Sequence, residues 1–525
     1  MQKYTFHFAF QGINSILFQG FYKEKSYLLN SFFNSELTSL PLCMFYICVH
    51  ISTKDFLFMT KCLFKSITLF YLLISLVSCS GSEKSNTVFF GGKIINPKTK
   101  FVVLYSNNVI VDTILLNERN KFLGIYNDLD EGLYHFMHGN ENQYIYLEPK
   151  DSLMLRLNTW NFDESLVFAG KGAERNNILV DIFLEDESEK KIFYGLNNLK
   201  PKAFQRKINS HIQSRLKTFD NYKKNHPKET TTYFNVLKTA LIYPIYARIE
   251  RYPISHVYVS KKTDFPEIDS SFYGYRNNLD FNNNALMYYT PYARYITNYL
   301  YNVTYAQGHK PMMSQFSSDF TVDLLQTIDA KISLKDSKNA FLKRTVLDHF
   351  QRKSNCDIDQ RSFNLFFKLS SNKEDKKLVR NLLEDNKTLH KGHKIEGFTI
   401  SDFTNQSVNI KDFIQGKNTV LLFWSREYIS KYFINSRVPF LQKKYPSLNF
   451  AIIEIDGSSN NDSRIPNIDI KNQYYINSKS LKNNFLTSAM HRTILVNKNG
   501  VIENGYAAIS SRNIYKQLKE LSELN

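Results

Sequence analysis

One stretch of the sequence, residues 420–431, constrains the fold more than any other. Residues 420–424 form an unbroken apolar run of the length and composition of a buried strand, and the polar segment that follows is typical of a helix start. A buried strand that leads through a tight turn into a helix is the usual place for a functional site in an α/β sheet, because ligands gather outside the carboxyl ends of the strands. The sequence therefore predicts an α/β domain near its end, with any functional site in this turn.

The sequence of this stretch, Phe-Trp-Ser-Arg-Glu-Tyr-Ile-Ser-Lys at residues 423–431, resembles the active-site segment of TlpA-type thiol-disulfide oxidoreductases. These are membrane-anchored members of the thioredoxin superfamily, and their segment reads Phe-Trp-Ala-x-Trp-Cys-x-x-Cys. The resemblance holds from Lys394 to the C-terminus, and we place the domain at residues 391–525. It implies a thioredoxin-like fold, built as a βαβ unit followed by a ββα unit.

The residues that would carry the family's chemistry are replaced. Tyr428 and Lys431 stand at the positions of the two cysteines, and His491 stands at the position of the cis-proline that faces them. Dithiol exchange needs a thiolate of lowered pKa and a second cysteine that resolves the mixed disulfide. A non-proline cis peptide costs about 2.5–4 kcal/mol, so we expect a trans peptide before His491. We therefore predict a redox-inactive domain with no catalytic residue and no cofactor.

Several interpretations of the altered positions remain open. The first is a surface for a protein or peptide partner, formed by residues that match the family's active site: Trp424, Tyr428, Lys431, His491 and Arg492. Tyr428 and His491 could instead transfer protons, although neither a nucleophile nor a metal set accompanies them. An oxidoreductase that uses partner thiols or Cys356 is the alternative function, and a purely structural envelope protein is another. His390 and His393 have no further ligands at set spacing, so no metal site is predicted.

The N-terminal region carries an export signal. A basic segment at residues 59–65 precedes an apolar run at residues 67–77, and Leu-Val-Ser-Cys ends the pattern at Cys79. This pattern is that of a bacterial lipoprotein signal, residues 59–78, after which Cys79 is acylated. The run is shorter than the about 20 residues that a membrane-spanning helix needs, and an uncleaved anchor is the alternative. We expect a lipid-anchored protein of the cell envelope, at the outer membrane with a periplasmic or surface face.

Residues 1–58 do not fit this signal. They are rich in Phe, lack a clear period and precede a complete signal that has its own Met59. We interpret them as a non-native extension from a start site assigned too far upstream, with a first membrane segment around residues 40–51 as the alternative. Residues 79–87 are then a polar tether.

Residues 88–178 alternate short apolar segments with turns, which is typical of a small antiparallel sandwich or barrel. Two motifs, Glu-Pro-Lys-Asp-Ser-Leu at 148–153 and Gly-Lys-Gly-Ala-Glu-Arg-Asn-Asn at 170–177, resemble the β-rich domain that precedes TlpA-type domains in lipoproteins of the Bacteroidota. The glycine-rich motif lacks the Walker spacing, so we predict a structural turn rather than a phosphate-binding loop.

Residues 179–390 show apolar positions at helical spacing, and we expect roughly five to seven helices there. A kink is expected at Pro244. Tyrosines crowd residues 288–301, and we expect them to pack in a core rather than to line a groove. Cys356 is expected in a loop as a passive thiol. The fold class predicted for the whole chain is therefore multidomain α+β and α/β, with a helical middle region.

Composition narrows the function classes. The formal net charge is +18, but the basic residues are scattered among Asp, Glu and Asn, which argues against a nucleic-acid groove and leaves anionic lipid or glycan as a counterpart. Of the five cysteines, Cys79 and Cys356 alone lie at or beyond the processing site. No structural disulfide is therefore expected.

Overall fold

The computed structural model describes residues 86–311, 317–353, 358–426, 429–459 and 463–524. Three residues of the sequence predictions, Cys79, Tyr428 and Cys356, lie outside the described residues, as do the upstream extension and the signal segment. Within the described part, the chain mixes helix and sheet and has several separate hydrophobic cores.

Residues 86–170 form two four-stranded sheets that share one core. The strands are β1 (Val88–Ile95), β2 (Phe101–Ser106), β3 (Val109–Leu115), β4 (Lys121–Tyr126), β5 (Gly132–His138), β6 (Glu141–Leu147), β7 (Ser152–Asn158) and β8 (Val167–Ala169). Their orders are β4-β1-β7-β8 and β3-β2-β5-β6. Phe90, Phe136 and Leu153 are among the residues between the sheets.

The prediction of a wholly antiparallel sandwich was wrong at one pair of strands. β1 pairs with β7 in parallel, with Phe89 opposite Ser152. Five strands separate β1 from β7 along the chain, β4 in the same sheet and β2, β3, β5 and β6 in the other, and such a long connection permits parallel pairing. The two sheets do not close into one barrel, so the barrel alternative was wrong.

Eight α-helices follow in the described residues between 173 and 388. They are α1 (Ala173–Leu196), α2 (Pro201–Asn225), α3 (Thr231–Ser260), α4 (Thr290–Tyr305), α5 (Ser318–Lys331), α6 (Lys335–Lys353), α7 (Gln360–Leu369) and α8 (Lys373–Thr388). α3 continues through Pro244 and Pro253. The tyrosine-rich segment belongs to the core as expected, since Tyr292, Tyr295 and Tyr299 are buried.

The remaining elements build a seven-stranded sheet with helices on both faces. They are β9 (Thr399–Ser401), β10 (Ser407–Asn409), α9 (Ile410–Ile414), β11 (Thr419–Trp424), α10 (Lys431–Lys444), β12 (Asn449–Ile455), β13 (Gln473–Ile476), α11 (Ser478–Asn484), β14 (Arg492–Val496), β15 (Ile502–Ala507) and α12 (Asn513–Ser522). The strand order is β10-β9-β13-β12-β11-β14-β15. β11 pairs in parallel with β12 and antiparallel with β14, which gives the predicted βαβ and ββα units.

β11 is an interior strand of this sheet, between β12 and β14, and all six of its residues are buried. Leu421 and Phe423 face one core, while Leu422 and Trp424 face the other. This alternation explains the continuous apolar run, because an interior strand covered by helices has no solvent face. Among the described helices of the whole chain, none combines the length and apolarity that crossing a membrane requires.

Candidate functional site

The turn after β11 is held to the neighbouring strand by an ion pair. Arg426 Nε lies 2.6 Å from Glu454 Oε1, and Arg426 Nη2 lies 3.3 Å from Ser463 Oγ. Glu454 is opposite Trp424 in the register of β11 and β12, and its side chain is buried. The sequence analysis did not select Glu454, although a glutamate within the apolar run 449–455 was a usable signal.

Lys431 is the first residue of α10 and is half-buried. The helix was expected to follow the apolar run directly, but Ser430 caps it, with Ser430 Oγ accepting a hydrogen bond from Phe433 N at 3.2 Å. The N-terminus of a helix carries partial positive charge, which lowers the pKa of a thiol placed there. A lysine ammonium at this position gains nothing from that field and cannot resolve a disulfide.

The loop that ends at His491 lies beside the C-terminal end of β11, because the next residue, Arg492, is opposite Phe423 in the register of β11 and β14. The peptide bond before His491 is trans, like every peptide bond of the described residues. His491 is half-buried, and its Nε2 lies 3.1 Å from Gln351 Nε2 of α6, so that the amide donates to the ring. The residue at the cis-proline position thus contacts the helical region.

A buried aspartate from that region organises the same loop. Asp385 of α8 accepts hydrogen bonds from Thr487 N at 2.6 Å, Thr487 Oγ1 at 2.7 Å and Ser488 N at 3.0 Å. Ser488 Oγ and Arg492 Nη2 also donate to it, the latter at 3.1 Å. The side chains of Asp385 and Arg492 are both 0% exposed. One carboxylate therefore fixes the loop to α8 through five donors.

Aromatic and apolar contacts surround the ion pair between Asp385 and Arg492. The Arg492 guanidinium lies 4.9 Å from the centroid of the Tyr506 ring. Tyr506 packs edge-on against Phe350 of α6, with ring centroids 4.2 Å apart. Met490 and Tyr506 belong to the same hydrophobic cluster as the helices. Ser488 and Met490 of the loop at 487–492 are thus buried beneath α6 and α8, while Thr487 stays exposed.

The structure corrects part of the predicted binding surface. Trp424 and Arg492 are 1% and 3% exposed, so neither can contribute to an open surface. Trp424 is buried because its side chain fills the core beneath α10, and Arg492 is buried because Asp385 supplies its counter-charge. Lys431 and His491 are half-buried, and Tyr428 lies outside the described residues.

The described residues contain no group of three or more His, Cys, Asp or Glu side chains arranged to hold a metal ion. The rings of His390 and His393 lie 6.0 Å apart. These two residues are exposed in the segment that connects α8 to the last sheet.

Comparison with known proteins gives a partial likeness. No family model matches the chain, and no curated protein matches it. Among solved structures, the thioredoxin domain of a thiol-disulfide oxidoreductase from Bacteroides vulgatus is 21% identical, covering 24% of this chain and 96% of its own, with a TM-score of 0.19. A thiol:disulfide interchange protein from a Bacteroides species is 21% identical, with coverages of 25% and 92% and a TM-score of 0.20. A thiol peroxidase from Chromobacterium violaceum is 13% identical, with coverages of 25% and 86% and a TM-score of 0.21.

These similar structures are thiol-disulfide oxidoreductases and related proteins, and each likeness spans about a quarter of the chain. At such TM-scores the likeness assigns neither an activity nor a site.

Proposed function

We propose that this protein is a lipid-anchored scaffold of the cell envelope, with a thioredoxin-like C-terminal domain that does not exchange dithiols. The observation that carries the proposal is the loop at 487–492, where the backbone N–H and hydroxyl groups of both Thr487 and Ser488 donate to Asp385. The replacement of the second cysteine by Lys431 at the start of α10 is consistent with it.

The covered loop favours a scaffolding role over binding of a peptide at the ancestral site. An extended peptide that pairs with a sheet edge needs free backbone groups on that edge. Thr487 N and Ser488 N donate to Asp385 instead, and the loop is packed against α6 and α8. We propose that protein partners bind elsewhere on the molecule, with the sheet domains and helices acting as one framework.

The redox part of the proposal is tested by insulin reduction with dithiothreitol, using the chain from residue 79 onward with Cys79→Ser. We expect no turnover above the uncatalysed rate, because neither Tyr428 nor Lys431 provides a thiolate. Cys356→Ser is the matched variant and should behave identically. Turnover that is lost in Cys356→Ser would replace the proposal with the alternative of an oxidoreductase that uses Cys356.

A further inference from the structure

The two sheets of the N-terminal sandwich differ in what covers their outer faces. The outer face of β3-β2-β5-β6 packs against the helices: Tyr144 Oη donates to Tyr288 O at 2.8 Å, and the ring of Tyr144 lies 4.9 Å from that of Tyr289. The outer face of β4-β1-β7-β8 instead presents Leu123 and Ile125 to solvent, 50% and 58% exposed. Exposed apolar side chains grouped on one sheet face mark an interaction surface.

The register of the strands arranges this face in rows. Two rows nearest the start of β1 are almost wholly apolar: Ile125, Phe89 and Ser152, then Leu123, Gly91 and Met154. A Cβ placed on Gly91 would come 2.9 Å from Leu123 Cδ1, so the leucine lies over the glycine and broadens the apolar area.

The third row on this face, farther along β1, consists of basic residues. Lys121 of β4 is opposite Lys93 of β1, and Lys93 is opposite Arg156 of β7. All three side chains are exposed. They are the only charged residues in the four strands of this sheet, which contain no Asp or Glu. Like charges on neighbouring strands repel one another, so this row is favourable only with an anionic counterpart.

The tether places the same face near the membrane. Eight residues, 80–87, separate Cys79 from Val88 at the start of β1, a length that spans at most about 30 Å when extended. The apolar rows lie at this end of β1. This step rests on the lipid anchor of the proposed function.

We propose that the outer face of β4-β1-β7-β8 lies on an anionic lipid surface. Leu123 and Ile125 enter the interfacial layer, and the basic row contacts lipid phosphates. Apolar insertion combined with basic residues is the combination by which peripheral proteins strengthen a lipid anchor. The surface also keeps the sandwich flat against the bilayer, which directs the helices and the last sheet away from it.

A site-specific probe tests this contact in the lipidated protein. Ile125→Cys and Ile192→Cys, each with Cys356→Ser, carry an environment-sensitive fluorophore in nanodiscs of phosphatidylethanolamine and phosphatidylglycerol. Ile192 lies on α1 and is 57% exposed, which matches the 58% of Ile125. We expect a blue shift and quenching by lipid-borne quenchers at residue 125 but not at residue 192. Adding Lys93→Gln, Lys121→Gln and Arg156→Gln should reverse both effects, while Lys207→Gln, Lys217→Gln and Lys224→Gln on α2 should leave them unchanged.

Three results would overturn the inference: no quenching at residue 125, equal quenching at residues 125 and 192, or no effect of the basic-row variants. A blue shift that persists in detergent and grows with protein concentration would also overturn it, by showing that a second copy covers the face. The anchor is tested separately by incorporation of labelled palmitate, which Cys79→Ala should abolish. Labelling without contact at residue 125 leaves the proposed function intact, whereas absence of labelling removes the anchor itself.

Discussion

Two buried aspartate–arginine pairs join the sheets of this protein to its helices, and they are built in opposite ways. At the first joint, Arg175 of α1 is the centre: its Nη2 lies 2.7 and 2.6 Å from the two carboxylate oxygens of Asp151, and its Nη1 lies 2.9 Å from Glu148 and 3.1 Å from Glu229. At the second joint Asp385 is the centre, with Arg492 as one of its five donors. The first joint collects carboxylates around one cation, and the second collects donors around one anion.

The difference shows which partner each joint depends on. Three carboxylates around Arg175 repel one another, and burial raises the pKa of Glu148 even though Arg175 lowers it. Asp385 would keep four hydrogen bonds without its arginine, whereas Nε and Nη1 of Arg492 have no hydrogen-bond partner among the described residues. We therefore expect the first joint to fail when its arginine is removed and the second when its aspartate is removed.

The largest effect is expected from Arg175→Met. Removing the cation leaves Asp151, Glu148 and Glu229 in a largely buried site, and breaking a buried ion pair in this way costs about 3–5 kcal/mol. Urea denaturation followed by circular dichroism measures the loss. Arg361→Met is the control, because Arg361 pairs with Asp359 on the surface and should change stability little. A loss no larger than that of the control would contradict a central role for Arg175.

Asp385→Asn is expected to cost about 2–4 kcal/mol, because it leaves the Arg492 charge buried. Arg492→Met should cost less, about 1–2 kcal/mol, since Asp385 keeps its hydroxyl and amide donors. Hydrogen exchange should show faster exchange at residues 487–492 in Asp385→Asn before the sheet itself opens. Equal or reversed losses for the two variants would contradict the contrast between the joints.

A smaller, pH-dependent effect is expected in the N-terminal sandwich, away from both joints. His135 of β5 is stacked on Tyr105 with ring centroids 4.7 Å apart, and burial lowers the pKa of His135 from 6.5 to about 4. The unfolded chain therefore binds a proton that the folded chain excludes, so this contribution to stability is complete above pH 6.5 and is lost as the pH falls towards 4.

The shift in pKa corresponds to at most about 3 kcal/mol. Between pH 7 and pH 4, the unfolding free energy of the wild type should fall more steeply than that of His135→Phe, by up to this amount in total. His390→Gln, an exposed position, should retain the slope of the wild type. Parallel pH profiles for the wild type and His135→Phe would rule out the assignment.

Local patterns in the sequence predicted much of this fold. They did not predict the polar pairs between residues that lie far apart in the sequence. The apolar run 420–424 became β11, and the alternation of short apolar segments and turns over residues 88–178 became the strands of the two N-terminal sheets. The motif at 170–177 was predicted as a structural turn, and in fact it meets the motif at 148–153 at the first joint, where Arg175 pairs with Asp151. Nothing local indicates that Asp385 pairs with Arg492, because the two residues are 107 positions apart.

The start of α10 and the parallel pairing of β1 with β7 were missed for a similar reason. The sequence offers other polar residues before Ser430 that could have capped α10. The hydrogen bond from Phe433 N to Ser430 Oγ identifies Ser430 as the cap, and the sequence does not show that bond. The pairing of β1 with β7 depends on how the whole chain returns to the first sheet. Candidate site residues chosen by position in the family motif could not reveal that α6 and α8 would bury Arg492.

The most direct test of the proposed function is to introduce cysteines at the two positions where the resemblance implies a dithiol, and to measure whether the loop at 487–492 still prevents catalysis. We expect Tyr428→Cys with Lys431→Cys to form a disulfide but to reduce insulin at least about tenfold more slowly than an uncovered thioredoxin domain, because Asp385 and α6 block the docking edge. Efficient reduction of insulin by this variant would show that the edge is open and would contradict the account.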